Sequence, residues 1–151
     1  MNEKKKLLVI INPISGVGKQ RTVEKALAGY LDHTIYDYEI EYTQYAHHAQ
    51  TIAKEACEAG KCNIIVAVGG DGSVNDVASG IVAAQSDMPM AIIPCGSGNG
   101  LARHLKIPLT VKKAIEVINT GYCQKIDTIT MNGHTYVSIA GIGFDALVAH
   151  K

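Results

Sequence analysis

An α/β fold, a parallel sheet wound with helices, is what the 151-residue sequence predicts, and three observations predict it. Short apolar runs alternate with stretches of helical period. Two glycine-rich loops each follow such a run directly and precede a helical stretch. The composition, 47% hydrophobic with few aromatics, suits an Ala/Ile/Val-rich core of one compact domain.

Taken in order, the first apolar run, residues 7–11, follows Lys4-Lys5-Lys6 and is too short for a signal peptide or a membrane span. Residues 19–31 then place apolar side chains at helical spacing. Runs at 35–42, 64–68 and 90–94 read as further strands, with helices expected over 46–58, 73–84 and 110–119 and a shorter helical turn at 101–105. Strands alternating with helices form parallel sheets, and ligands collect at the carboxyl ends of such strands. After about Gly121 the pattern changes. Residues 125–130 and 135–139 flank Asn132-Gly133, a hairpin signal. The division expected is residues 1–121 as the ligand-binding α/β domain and 122–151 as the first strands of a β-rich second unit, cut short at Lys151.

Charge narrows the partners. Lys plus Arg and Asp plus Glu both total 14, so no basic excess argues for nucleic acid. Cys57, Cys62, Cys95 and Cys123 lack a C-x-x-C pair, which fits reduced thiols in the cytoplasm and no structural zinc. His47 and His48 are adjacent, and neither has a His, Asp or Glu four residues along, so surface or helix-start roles are expected for the histidines. Arg103, His104 and Lys106 read as a solvated helix face, although they could also meet phosphate or an anionic membrane. The tyrosines between 30 and 45 are expected to pack partly into the core.

The chemistry lies in the loops. Gly69-Gly70-Asp71-Gly72-Ser73 and Gly96-Ser97-Gly98-Asn99-Gly100 let the backbone approach a ligand, and helix-starting amides beyond them can hold phosphate. Ser73 is also a candidate helix cap. Alone, Gly-Gly-Asp-Gly could be an ordinary tight turn; three loops at successive strand ends favour a nucleotide site. A Walker A loop would need Gly at Pro13 and Ser or Thr at Gln20. The dinucleotide G-x-G-x-x-G fails at Arg21 and at Leu101. Lys19 is therefore read as a solvated first-turn lysine.

Three segments together, Asn12-Pro13-Ile14-Ser15-Gly16-Val17-Gly18-Lys19, Gly69-Gly70-Asp71-Gly72-Ser73-Val74-Asn75-Asp76 and Pro94-Cys95-Gly96-Ser97-Gly98-Asn99, resemble the diacylglycerol kinase catalytic domain shared by bacterial lipid kinases and sphingosine kinases. This sequence has Ser73 where the family's best-known motif has Thr, Asp76 where it often has Glu, and Gly100 where Asp is common. The resemblance implies a Rossmann-like domain, ATP as co-substrate, Mg²⁺, and transfer of the γ-phosphoryl group to a lipid hydroxyl. Asn12, Pro13, Ile14, Ser15 and Gly16 would form the first wall of the ATP site, Thr43 a polar contact, and Ser97 a contact from the last loop. Gly69, Gly70, Asp71, Gly72, Ser73, Val74 and Asn75 would cradle the phosphates.

A carboxylate beside polyphosphate is repelled unless a cation intervenes, so Asp71 is assigned to the Mg²⁺ shell, directly or through water. No catalytic residue is assigned. The resemblance implies an acidic base beyond Lys151, making this chain inactive by itself, and residues 141–146, with Asp145 given no catalytic role, resemble the passage to the second domain. The lipid would be met at a membrane surface by a cytoplasmic, peripheral protein. Unpaired edges after Gly121 are expected to favour self-association unless they find cover on their own domain. An NAD kinase and a non-catalytic nucleotide-binding module are the alternatives, the first sharing the Gly-Gly-Asp-Gly loop.

Overall fold

The computed structural model describes residues 3–14 and 19–137. It has the α/β architecture. The elements are β1 (Lys5–Ile11), α1 (Gln20–Tyr30), β2 (Tyr36–Tyr42), α2 (His48–Ala59), β3 (Ile64–Gly69), α3 (Asp71–Ala83), β4 (Met90–Pro94), α4 (Gly100–His104), α5 (Val111–Thr120), β5 (Ile129–Met131) and β6 (His134–Tyr136). Four parallel strands lie in the order β2-β1-β3-β4, while β5 and β6 form a small antiparallel sheet.

Alternation along the central strands builds two cores. Leu8, Ile10, Ile65, Ala67 and Ile92 face α2, α3 and α4, while Leu7, Val9, Ile11, Val66, Val68 and Ile93 face α1 and α5. Because both faces are covered, β1 and β3 read as continuous apolar runs. Edge strand β2 alternates instead. Its outward carboxylates meet lysines, Lys6 Nζ to Glu39 at 3.1 Å and Lys61 Nζ to Glu41 at 2.5 Å, which leaves the edge charged and poorly suited to pairing with another chain. The Lys6 hydrogen bond, with Lys61 beside it, holds the Glu39 carboxyl below its usual range.

Three expectations need correction. Helix α3 begins at Asp71 with Gly70 as its N-cap, so Ser73 is its third residue and caps nothing. Gly70 takes up the extended cap conformation (φ −92°, ψ −165°), and the helix starts as soon as the chain leaves it. Among the tyrosines, Tyr36 is buried with its hydroxyl donating to the Ile118 carbonyl at 3.1 Å, and Tyr38 is half-buried. Tyr30, Tyr42 and Tyr45 remain 47%, 38% and 59% exposed; they stand at the last residue of α1, the last residue of edge strand β2 and the loop that follows it. The hairpin is present but short: residues 125–128 are exposed and outside any strand. By the register Ile129↔Tyr136, residues 125–127 fall opposite positions beyond Val137, outside the described residues.

The Asn-Gly turn matches its residue types. Asn132 and Gly133 both have positive φ, 51° and 78°, as the two-residue hairpin turn that follows strand twist requires. No described helix is long and apolar enough to cross a membrane.

Candidate functional site

Strand β1 has β2 on one side and β3 on the other, so the chain's winding direction reverses between β1 and β3. At such a switch point the loops leaving two neighbouring strands part, and a crevice opens at their carboxyl ends. The loops after β1 and β3 flank it, and the loop after β4 lies next to the second of them.

On the β1 side, Asn12 Oδ1 accepts from the Ile14 amide at 2.9 Å, a side-chain turn that bends the chain away from the strand. Gln20 Nε2 donates to the Pro13 carbonyl and ties the loop back to the first turn of α1. Ile14 is 84% exposed, far more than a core isoleucine. Ser15 and Gly16 lie outside the described residues. Thr43 is buried, and its amide donates to the Ile11 carbonyl at 2.9 Å, which carries the β2 ladder to the end of β1.

On the β3 side, Gly69 ends the strand at φ 154°, a backbone conformation essentially reserved for glycine. The chain turns at Gly70 into α3, whose N-terminus receives no side-chain cap. The amides of Asp71, Gly72 and Ser73 thus lack intrahelical partners, as the first turn of any helix does, and the helix dipole adds positive potential there. A Cβ built on Gly72 meets nothing within 4 Å. Val74 is different: its side chain is in the core and its amide donates to the Gly70 carbonyl at 3.1 Å, leaving neither for a ligand. Asn75 points elsewhere as well, to the β5–β6 hairpin.

The two glycine loops touch. A Cβ on Gly96 would sit 2.4 Å from Gly70 Cα, and one on Gly98 would sit 2.9 Å from Asp71 Oδ2. Asp71 Oδ1 accepts from the Gly100 amide at 2.7 Å. Asp71 therefore bridges the loops, and its other oxygen faces Gly98. Asn99 holds the second loop from inside, since its Oδ1 accepts from the Gly96 amide at 3.0 Å while its Nδ2 donates to the Gly96 carbonyl at 2.8 Å. It takes φ 53°, which asparagine tolerates better than most residues. Ser97 is exposed at the tip.

Three residues at or near these loops escape a linear reading. Asn99 was legible only as part of a glycine motif, although an asparagine beside glycines is a signal for positive φ. Arg103, read as part of a solvated face, donates from Nε to the Gly98 carbonyl at 2.8 Å and brings a cation to the second loop. His47, read as a surface or helix-start residue, is exposed at the N-cap of α2, and the contact no spacing announced is its Nδ1 3.0 Å from Asp76 Oδ1, joining the start of α2 to α3. That hydrogen bond, and then the carboxylate's charge, raises the His47 pKa. No sequence spacing signals a pair between residues on different helices. At the start of α2 Tyr45 stacks on His48 with ring centroids 4.2 Å apart, and the Gln44 amide donates to His48 Nδ1 at 3.0 Å.

A resident metal cluster is not in evidence: among the described residues no three His, Cys, Asp or Glu side chains converge on one point. Mg²⁺ needs less, since one or two carboxylates with phosphate oxygens and waters suffice. Asp71 fits that demand through the acceptor capacity left after its bond to Gly100.

The family model for the diacylglycerol kinase catalytic domain matches residues 6–131. The sequence is 32% identical over 146 residues to a diacylglycerol kinase of Bacillus subtilis (strain 168), covering 92% of this chain and 46% of that protein. It is 29% identical over 140 residues to a diacylglycerol kinase of Staphylococcus epidermidis (strain ATCC 35984), covering 93% of this chain and 44% of the relative. A solved diacylglycerol kinase structure from Bacillus anthracis str. Sterne superposes with a TM-score of 0.76 at 25% identity, over 91% of this chain and 50% of that one. The chain thus spans about half the length of the relatives it matches.

Proposed function

Because this chain belongs to the diacylglycerol kinase catalytic domain family, we propose that it is the nucleotide-binding portion of a lipid kinase that moves the γ-phosphoryl group of ATP to a lipid hydroxyl. The observation that carries the reading is the packed pair of glycine loops after β3 and β4, beside the sheet's switch point, with the uncapped start of α3 in the first of them. Phosphoryl transfer depends on positioning and charge stabilisation more than on covalent chemistry, and free helix-start amides supply the first of these. Asn12, Pro13 and Ile14 form the opposite wall, joined in sequence by Ser15 and Gly16, with Thr43 at the end of β2 and Ser97 at the loop tip. Mg²⁺, when bound, offsets the charge of the polyphosphate; Asp71 would hold it directly or through a water, and Arg103 adds a fixed positive charge nearby.

None of these residues serves as the general base in this reading. We expect residues 1–151 to bind Mg-ATP and to transfer little phosphate, with the lipid met at a membrane surface by the longer protein. Calorimetry with Mg-ATP and radiolabelled phosphate transfer to mixed lipids test this together. Robust lipid phosphorylation by the 151-residue chain would exclude a base lying outside it, and absence of ATP binding would exclude the nucleotide role.

Two substitutions sharpen the assignment. Gly72→Val places its side chain in open space, so the fold is retained and Mg-ATP affinity falls by about tenfold or more as the methyls occupy the phosphate approach. A folded variant with unchanged affinity removes the phosphate role of this loop. Asp71→Asn keeps an oxygen for the Gly100 amide but loses the charge, so nucleotide binding should weaken more with Mg²⁺ than without it. Equal losses in the two conditions would take Asp71 out of the metal shell.

A further inference from the structure

We propose that Asn75 is a positioning residue that seats the β5–β6 hairpin on the nucleotide-loop helix, and that it is not a nucleotide ligand. Its Nδ2 donates to the Thr135 carbonyl at 2.9 Å while its Oδ1 accepts from the Val137 amide at 3.1 Å. Ser79, one helical turn further along α3, donates from Oγ to the same Thr135 carbonyl at 3.3 Å. Both polar ends of the Asn75 amide are thereby engaged within the protein.

Hairpin geometry explains why these two backbone groups are the ones taken. Met131 and His134 flank the two-residue turn and exchange hydrogen bonds with each other, so at the next pair, Thr130 and Thr135, the backbone groups point outward. The outer edge of β6 therefore presents the Thr135 carbonyl and, two residues on, the Val137 N–H. A neighbouring strand would meet them with one donor and one acceptor. The asparagine side chain carries both in a single planar group, which Ser, Asp and Ala do not.

The clamp has two consequences. It covers a strand edge that would otherwise be open to pairing with another chain, and this is cover found on the chain's own domain. It also brings Val137 into the core beside Val74 and Val77. Helix α3 then joins the turn at residues 70–73 rigidly to the hairpin, five residues from Gly70 to Asn75. In the phosphoryl-transfer reaction, a role that rests on the lipid-kinase reading above, Asn75 fixes the hairpin relative to the bound phosphates.

Hydrogen exchange of the Val137 amide in nucleotide-free protein, wild type against Asn75→Ala, tests the clamp, with Mg-ATP calorimetry and sedimentation on the same samples. Alanine is the better helix former, so α3 is kept. Exchange at Val137 should rise by about tenfold or more, the factor expected from losing two ordinary hydrogen bonds. Self-association should grow, and ATP affinity should change by less than about threefold. Ser79→Ala should give a smaller rise. Asn75→Asp keeps the acceptor but sets a second acceptor against the Thr135 carbonyl, so it should not restore protection. Unchanged exchange at Val137 overturns the proposal, and so does a loss of ATP affinity as large as that of Gly72→Val. If the wild type binds no ATP the kinase reading fails, while the exchange measurement still decides the clamp.

Discussion

Gly96→Ala should separate the two glycine loops and abolish nucleotide binding while the rest of the sheet still folds. The new methyl would lie 2.4 Å from Gly70 Cα, 3.1 Å from Asn99 Oδ1 and 3.2 Å from the Gly70 amide nitrogen. The first and third of these are backbone atoms, which cannot swing aside as a long side chain would. Relief requires one loop to move, and such a shift takes the Asp71 to Gly100 bond and the Asn99 bridge with it. The expected cost is about 1–3 kcal/mol, as for overpacking elsewhere, with Mg-ATP affinity reduced more than in Gly72→Val. Gly72→Ala is the matched control, because its methyl meets nothing. Thermal unfolding and calorimetry on both variants give the comparison; equal stability and equal affinity for Gly96→Ala and the control would mean the loops do not touch.

Gly80→Val should strongly destabilise the domain. Helices α2 and α3 cross at Gly80, where an added Cβ would lie 2.3 Å from the Gln50 carbonyl oxygen, 2.8 Å from Ala53 Cβ and 3.0 Å from the Lys54 nitrogen. Alanine normally gains about 0.5–1 kcal/mol over glycine inside a helix, so even Gly80→Ala has a propensity gain working against the clash. Here the clash with backbone wins, because α2 must be pushed away from α3, and its buried Ile52 and Ala53 share one core with Val77 and Ile81 of α3. We expect a loss of about 3 kcal/mol or more for valine, read as a lower urea midpoint with an unchanged slope. A midpoint equal to or above that of the wild type would rule out the described crossing. Since His47 and Asp76 join the same two helices near the nucleotide loops, a partly folded variant should also lose ATP affinity.

The alternation of apolar runs and helical stretches carried the order of β1 to α5, because the central strands β1 and β3 are buried on both faces, edge strand β2 on one, and the helices along one side, so burial writes its period directly into the residues. Met90–Pro94 emerges with the ends expected of it. The Asn132-Gly133 turn was equally legible, since positive φ at two successive positions selects those residue types. The glycine loops marked the site for the same reason: close approach and unusual backbone angles exclude most side chains. Ser73 shows where such local reading stops, because serine is a good cap, yet the helix had already begun two residues earlier.

By itself, then, the sequence determined the α/β class, the order of the elements, the glycine loops and the family, all of which depend on residue type at short range. The tertiary structure alone decided who meets whom across the chain. It set Asp71 against Gly98 and Gly100, Arg103 on the Gly98 carbonyl, His47 on Asp76, and Asn75 on Thr135 and Val137. Each of these is a polar group finding a partner up to 62 residues away. Hydrogen bonding demands that a partner exist, but which one is fixed by how the helices and loops pack, and no periodicity in one segment encodes the face of another.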